Sequence, residues 1–64
     1  MKLYIWKEVL WDYTPGMAVG YGKDLETVLE KFEPHIARQL GPPTKVIDVR
    51  KDKEIYVDYV YGGG

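Results

Sequence analysis

The chain has 64 residues, no cysteine, and nine basic against ten acidic side chains, for a formal net charge of −1. This length predicts a single domain over residues 1–64 with a small core, and the absence of cysteine excludes a disulfide framework. Charges of both signs are interspersed, which disfavours duplex nucleic acid as a partner, because its binders carry a basic stripe.

Membrane insertion, metal binding and cofactor binding are not expected either. No segment approaches the ~20 apolar residues of a bilayer span, and Met1 and Lys2 lead into a strand-like run, not a signal peptide. His35 is the only histidine and no thiol accompanies it, so no metal-ligand spacing is present. We therefore expect a cytoplasmic protein without metal or cofactor.

The first third of the chain predicts a β-hairpin. Residues 2–11 are rich in aromatic and β-branched types and contain no glycine or proline, which is typical of a strand. A loop over residues 12–16 supplies turn chemistry, because Pro15 presets φ and Gly16 tolerates positive φ. Residues 17–21 then return as the second strand.

One amphipathic helix follows, with Asp24 as its expected N-cap. Its apolar residues recur at helical spacing and form one stripe: Leu25, Val28, Leu29, Phe32, Ile36 and Leu40. Pro34 disfavours helix at the residue before it, so we expect a kink, or a break near Glu33 with a restart at Pro34. The run Gly41-Pro42-Pro43 ends the helix.

Two further strands are predicted over residues 45–50 and 55–61, with a polar turn over residues 50–54 between them. The expected fold class is α+β, a two-layer ββαββ domain with a four-stranded, mostly antiparallel sheet. The helix covers one face of that sheet. The expected strand order is 2-1-4-3.

Strand alternation separates two sets of side chains, of which one helix covers only one. The set assigned to the helix side is Leu3, Ile5, Met17, Val19, Ile47, Val49, Ile55 and Val57. The opposite set, the predicted aromatic face, is Tyr4, Trp6, Ala18, Gly20, Val46, Asp48, Arg50, Tyr56, Asp58 and Val60. Large aromatics beside small residues indicate that something covers this face, and a second copy of the chain is the favoured cover.

A ligand platform is the alternative cover for the predicted aromatic face. Its candidate residues are Tyr4, Trp6, Gly20, Asp48, Arg50, Tyr56 and Asp58. Rings or bases would stack on the aromatic side chains, and Gly20 would leave room for them. Arg50 would meet an anionic group, and Asp58 would accept hydrogen bonds. The ligand class is nucleotide-like.

Catalysis is not predicted, because the chain contains neither cysteine nor serine. His35 lies beside the apolar stripe of the helix, where no partner for a general base can be named. Asp48 and Asp58 are expected to approach across strands three and four. With Arg50 nearby, an ion-pair cluster is favoured there over an acid–base pair.

The chain closes on Gly62, Gly63 and Gly64. With the element order and helix position, these glycines resemble the ubiquitin-like sulfur carriers, whose β-grasp fold ends in Gly-Gly. The resemblance implies that the terminal carboxylate is adenylated and then thiolated or conjugated. The chain departs from that pattern, because residues 59–61 run as strand almost to the end, where those families project a flexible tail.

Residues 11–17 (WDYTPGM), with the closing YGGG, are similar to short uncharacterised proteins of phage and mobile-element genomes. This similarity implies an accessory or anti-defence role, exercised by binding a host protein or sequestering a nucleotide signal. The predicted function is therefore a non-enzymatic binding protein that acts as a homo-oligomer through its aromatic face. A ubiquitin-like carrier activated at its terminal glycines is the alternative.

Overall fold

The computed structural model describes residues 1–49 and 56–63, with the backbone alone for Tyr56. In chain order the elements are β1 (Lys2–Asp12), β2 (Thr14–Gly22), α1 (Leu25–Lys31), α2 (Pro34–Ala37), β3 (Lys45–Asp48) and β4 (Tyr56–Val60). The predicted ββαββ order and the α+β class are confirmed. The predicted turn over residues 50–54, together with Arg50, Ile55 and Gly64, lies outside the described residues.

The helical segment divides in two at Pro34, as the sequence predicts. Asp24 caps α1 by accepting the Thr27 N–H on its side-chain oxygen at 2.8 Å. Phe32 and Glu33 are extended, with ψ of 150° and 145°, and Pro34 begins α2 at its first position. The break follows from the clash between a proline ring and a helical conformation at the preceding residue.

The sheet is antiparallel throughout its described pairings, and its strand order is β3-β1-β2-β4. The expected order 2-1-4-3 is wrong, because β3 pairs with β1 and β4 pairs with β2. The first hairpin therefore forms the centre of the sheet, and β3 and β4 lie at opposite edges. This arrangement differs from the β-grasp order that the sulfur-carrier resemblance implies.

The end of the first hairpin is tighter than predicted. The register between β1 and β2 shifts twice, between Lys7 and Val9 and between Val9 and Asp12. Glu8, Leu10 and Tyr13 have positive φ values of 58°, 55° and 70°. Each bulge adds one residue to β1 relative to β2. β1 ends at Asp12 and β2 begins at Thr14, so only Tyr13 separates the two strands. The expected five-residue loop is absent.

The core lies between the helices and the side of the sheet that carries Tyr4 and Trp6. Its buried members are Tyr4, Trp6, Leu10, Ala18, Val28, Phe32, Ile36 and Leu40. Trp6 meets Phe32 edge to face, with ring centroids 5.7 Å apart. The apolar stripe of the helix is thus confirmed as core, but the assignment of the sheet faces is wrong for β1, β2 and β3.

The physical reason for this reversal is the close approach of α1 to β2. Gly20 lies beneath Val28, and a Cβ on Gly20 would overlap Cγ1 of that valine. Ala18 is also small and fully covered. Small residues at these two positions let the helix sit close to the sheet, and the ring of Trp6 fills the space beside them. On β4 the expected facing holds, because Val57 pairs with Gly20 and packs against the core.

Candidate functional site

The side of the sheet that the helices leave uncovered, here called the open face, is largely apolar. Its residues are assigned from the pairing register of the strands and from the burial of the alternate residues, which face the helices. Its members are Leu3, Ile5 and Lys7 from β1, Met17, Val19 and Tyr21 from β2, Lys45 and Ile47 from β3, and Asp58 and Val60 from β4.

These side chains form three rows across the strands. In the central row Ile5 pairs with Val19, and Lys45 and Asp58 lie at the two edges. In a second row Leu3 lies between Ile47 and Tyr21. In the third row Met17 lies between Lys7 and Val60. The open face therefore carries apolar side chains in its middle and charged ones at its margins.

Part of this apolar surface is accessible to solvent. The exposed fractions of Met17, Ile47 and Val60 are 39%, 37% and 57%. Leu3, Ile5 and Val19 are half-buried, because neighbouring side chains on the same face shield one another. An exposed apolar patch on one face of a sheet is typical of a contact surface.

The open face carries shallow depressions. One, of about 190 Å³, runs between β2 and β4 and is lined by Met17, Val19, Asp58 and Val60 among others. Sites for small molecules are usually ~300–1,000 Å³ and bury most of the ligand. A second depression, of about 360 Å³, lies at the hairpin end beside Gly16 and Tyr61, and it is equally open.

Three predicted ligand-contacting residues belong to the core. Tyr4 and Trp6 are 5% and 0% exposed, and Gly20 is covered by Val28. The Trp6 Nε1–H donates to the carbonyl of Gly41 at 2.9 Å, so even the polar end of this ring is occupied within the protein. No ligand can stack on these two rings, so the predicted stacking on Tyr4 and Trp6 is wrong. The side chain of Tyr56, the third predicted ring, lies outside the described residues.

Asp48 and Asp58, which were expected to approach each other, lie far apart in the sheet. Asp48 is exposed on β3 on the helix side, where it pairs in register with Lys2. Asp58 lies on the opposite edge strand and on the open face, and its Oδ1 accepts the Tyr59 N–H at 2.8 Å. The expected Asp48–Asp58 cluster is therefore absent. Tyr56 pairs through its backbone with Tyr21.

The described part of the glycine tail is held against the first hairpin. The Gly62 N–H donates to the Leu10 carbonyl at 3.1 Å. The Thr14 hydroxyl accepts the Gly63 N–H at 2.8 Å and donates to the Gly63 carbonyl at 3.0 Å. A Cβ on Gly62 would overlap the Thr14 carbonyl oxygen, so this contact requires glycine. A freely projecting tail, as in the sulfur carriers, is not observed through Gly63.

Aromatic side chains are exposed elsewhere than predicted. Trp11 and Tyr13 at the hairpin end are 60% and 90% exposed. Tyr59 and Tyr61 pack edge to face with centroids 6.0 Å apart, and the Tyr61 hydroxyl accepts a hydrogen bond from Gln39 at 3.2 Å. Tyr59 pairs with the buried Ala18, and Tyr61 contacts Gln39 after α2, so these two rings lie toward the helix side.

The sequence pattern does not identify five residues of the open face, because it assigns aliphatic side chains to the core: Leu3, Ile5, Met17, Val19 and Ile47. A usable signal was present. Ala18 and Gly20 alternate with the aliphatic residues of β2, and they lie beside the large ring of Trp6. Small residues at such positions are typical of the side of a sheet on which a helix packs closely.

Two contacts of titratable groups lie near the starts of the helices. Hydrogen bonds from the side chain and then the backbone of Thr27 lower the pKa of the Asp24 carboxyl below its usual value, as expected for a capping carboxylate. His35 lies 3.5 Å from Glu33, and both side chains are more than half exposed. Over residues 1–49 and 56–63, no group of three or more potential metal ligands occurs.

The search for membrane spans, made over the described residues, finds no helix long and apolar enough to cross a bilayer.

Comparison with known proteins identifies no matching family model, no matching curated protein and no matching solved structure.

Proposed function

We propose that this chain is a non-enzymatic binding protein whose open face is its contact surface for another protein. The observation that carries the proposal is the contiguous apolar patch on that face, of which Met17, Ile47 and Val60 are exposed. Covering a large apolar side chain fully contributes about 1.5–3 kcal/mol relative to leaving it in water. Several such side chains on one face therefore favour a partner.

The shape of the patch favours a protein over a small molecule. A sheet face with shallow depressions offers broad contact, whereas a nucleotide-sized ligand needs a concave site with converging polar groups. The buried positions of Tyr4 and Trp6 remove two of the rings on which a nucleotide was expected to stack. The accessory or anti-defence role stays a prediction from resemblance.

The tail geometry favours a binder over a carrier. A carrier must thread its terminal glycines into the channel of an activating enzyme, whereas Gly62 and Gly63 here are bonded to the first hairpin. The tight fit of Gly62 against Thr14 supplies a structural reason for glycine at this position.

The test compares two neighbouring residues of β3 that face opposite sides of the sheet. Ile47 lies on the open face and Val46 on the helix side, and they are 37% and 47% exposed. Ile47→Glu places a charge in the contact surface, where burial without a partner costs several kcal/mol. Val46→Glu is the matched control, and Met17→Glu is a second open-face variant.

Each tagged variant is isolated from the cells that naturally make the protein, and its bound mass is measured by native mass spectrometry. We expect the partner mass with the wild type and Val46→Glu, and its loss with Ile47→Glu and Met17→Glu. Circular dichroism confirms that all are folded. Equal partner occupancy in all four proteins would refute the proposal.

A further inference from the structure

The central row of the open face has a charge pattern that bears on the identity of the partner. Across the sheet from β3 to β4, the row reads Lys45, Ile5, Val19 and Asp58. A positive charge thus lies at one edge of the sheet and a negative charge at the other, with two apolar side chains between them. When this row is reversed and laid over a second copy of itself, each charge faces the opposite charge and each apolar side chain faces an apolar side chain.

Two sheets packed face to face by a two-fold axis have that axis in the plane between them. An axis perpendicular to the strands places each strand over its own copy, and when it runs along this row, Lys45 faces Lys45 and Asp58 faces Asp58. An axis parallel to the strands places β3 over β4 of the second copy. Lys45 then faces Asp58, and the pair occurs twice. Like charges opposed across an interface are unfavourable, so the pattern selects the parallel axis.

We propose that the occupant of the open face is a second copy of this chain, packed about a two-fold axis parallel to the strands. This inference rests on the proposed function. The same axis places Ile5 over Val19 of the second copy and Leu3 over its Tyr21, so apolar contacts form in two of the three rows. In the third row it places Lys7 over Met17 of the second copy. Aligned sheets cross at about 30° and lie about 10 Å apart. This rotation displaces the edge strands by a few ångströms, which the long stem of Lys45 can span.

The available area determines how tight this dimer is. The two longest dimensions of the molecule are 37 and 20 Å. A rectangle with these two sides has about 700 Å², which is an upper limit for the flat area of the open face and slightly below the ~800 Å² that each partner buries in an interface of standard size. The interface therefore falls at the small end of stable complexes, and we expect dissociation in the micromolar range.

Charge reversal tests the axis directly. Lys45→Glu and Asp58→Lys, measured separately by sedimentation equilibrium, should each raise the dissociation constant of the dimer roughly tenfold, because each opposes like charges twice. An equimolar mixture of the two variants should recover wild-type affinity as a heterodimer, because each supplies the charge that the other lacks. Asp48→Lys, an equal charge change on the helix side of β3, is the control and should leave the dissociation constant unchanged.

Both substituted side chains are exposed in the single chain, and circular dichroism checks that the variants fold. If either charge reversal unfolds, Lys45→Gln and Asp58→Asn replace the pair, with a smaller loss expected from each. A dimer that neither substitution weakens, or a mixture no tighter than its components, would overturn the parallel axis. A wild type that stays monomeric at several hundred micromolar would overturn the second copy as partner. In that case, loss of a different partner mass with Ile47→Glu would leave the proposed function standing.

Discussion

Replacing Gly20 with alanine is expected to destabilise the protein, because this glycine lies directly beneath α1. The added Cβ would overlap Cγ1 of Val28 and would lie 3.4 Å from Cγ1 of Val57 and 3.6 Å from the ring of Trp6. Val28 and Trp6 are fully buried, and the dense packing of protein interiors leaves such side chains little room to move. The helix must therefore shift away from the sheet.

The magnitude follows from two opposing effects. Overpacking of a core costs about 1–3 kcal/mol. Alanine in place of glycine also restricts the unfolded chain, which returns about 0.4–1 kcal/mol where the backbone conformation suits both. We expect a net loss of roughly 1–2 kcal/mol, equivalent to a melting temperature lower by about 4–16 °C for a domain of this size.

The assay is urea unfolding followed by far-ultraviolet circular dichroism on a double-mutant cycle. Val28→Ala alone should cost about 2 kcal/mol by leaving a cavity. Combined with Gly20→Ala, it should cost about 1–2 kcal/mol less than the sum of the two, because the new methyl group enters that cavity. Gly63→Ala is the matched control, since its Cβ meets nothing within 4 Å. Additive losses, or a neutral Gly20→Ala, would refute the placement of the helix on this side of the sheet.

Three further substitutions test other contacts. Trp6→Phe removes the indole N–H that donates to the Gly41 carbonyl. It should lower the free energy of unfolding by about 1–3 kcal/mol in urea titrations. An unchanged free energy would show that this hydrogen bond is absent. Gly62→Ala would overlap the Thr14 carbonyl and should cost about 1–3 kcal/mol, with faster exchange of the neighbouring amides; unchanged exchange would contradict the docked tail. The lowered pKa of Asp24, caused by its hydrogen bonds to Thr27, stabilises the fold above the ordinary carboxyl pKa, and this contribution is lost as pH falls through the folded-state value. Thermal melts below about pH 5 should therefore lose less stability with Asp24→Asn than with the wild type, and parallel curves would refute the cap.

Which side of the sheet the helices cover could not be predicted from the hydrophobic pattern alone. On β1 both alternating sets are apolar, with Leu3 and Ile5 on one side and Tyr4 and Trp6 on the other. Hydrophobicity alone does not say which set the helix covers. Volume decides, because Gly20 admits α1 to close range only on the side of Trp6. For the same reason, the candidate site lies on the side of the sheet opposite to the predicted one.

The sequence by itself determined the local elements. The first hairpin, the cap at Asp24 and the break before Pro34 depend on the conformational limits of a few adjacent residues, so they are readable from the chain. Strand order and facing were decided only in the tertiary structure. Pairing of β3 with β1 and of β4 with β2 joins residues far apart in sequence, and any of several pairings satisfies the same alternation. The fit of side-chain volumes between helix and sheet selects one of them.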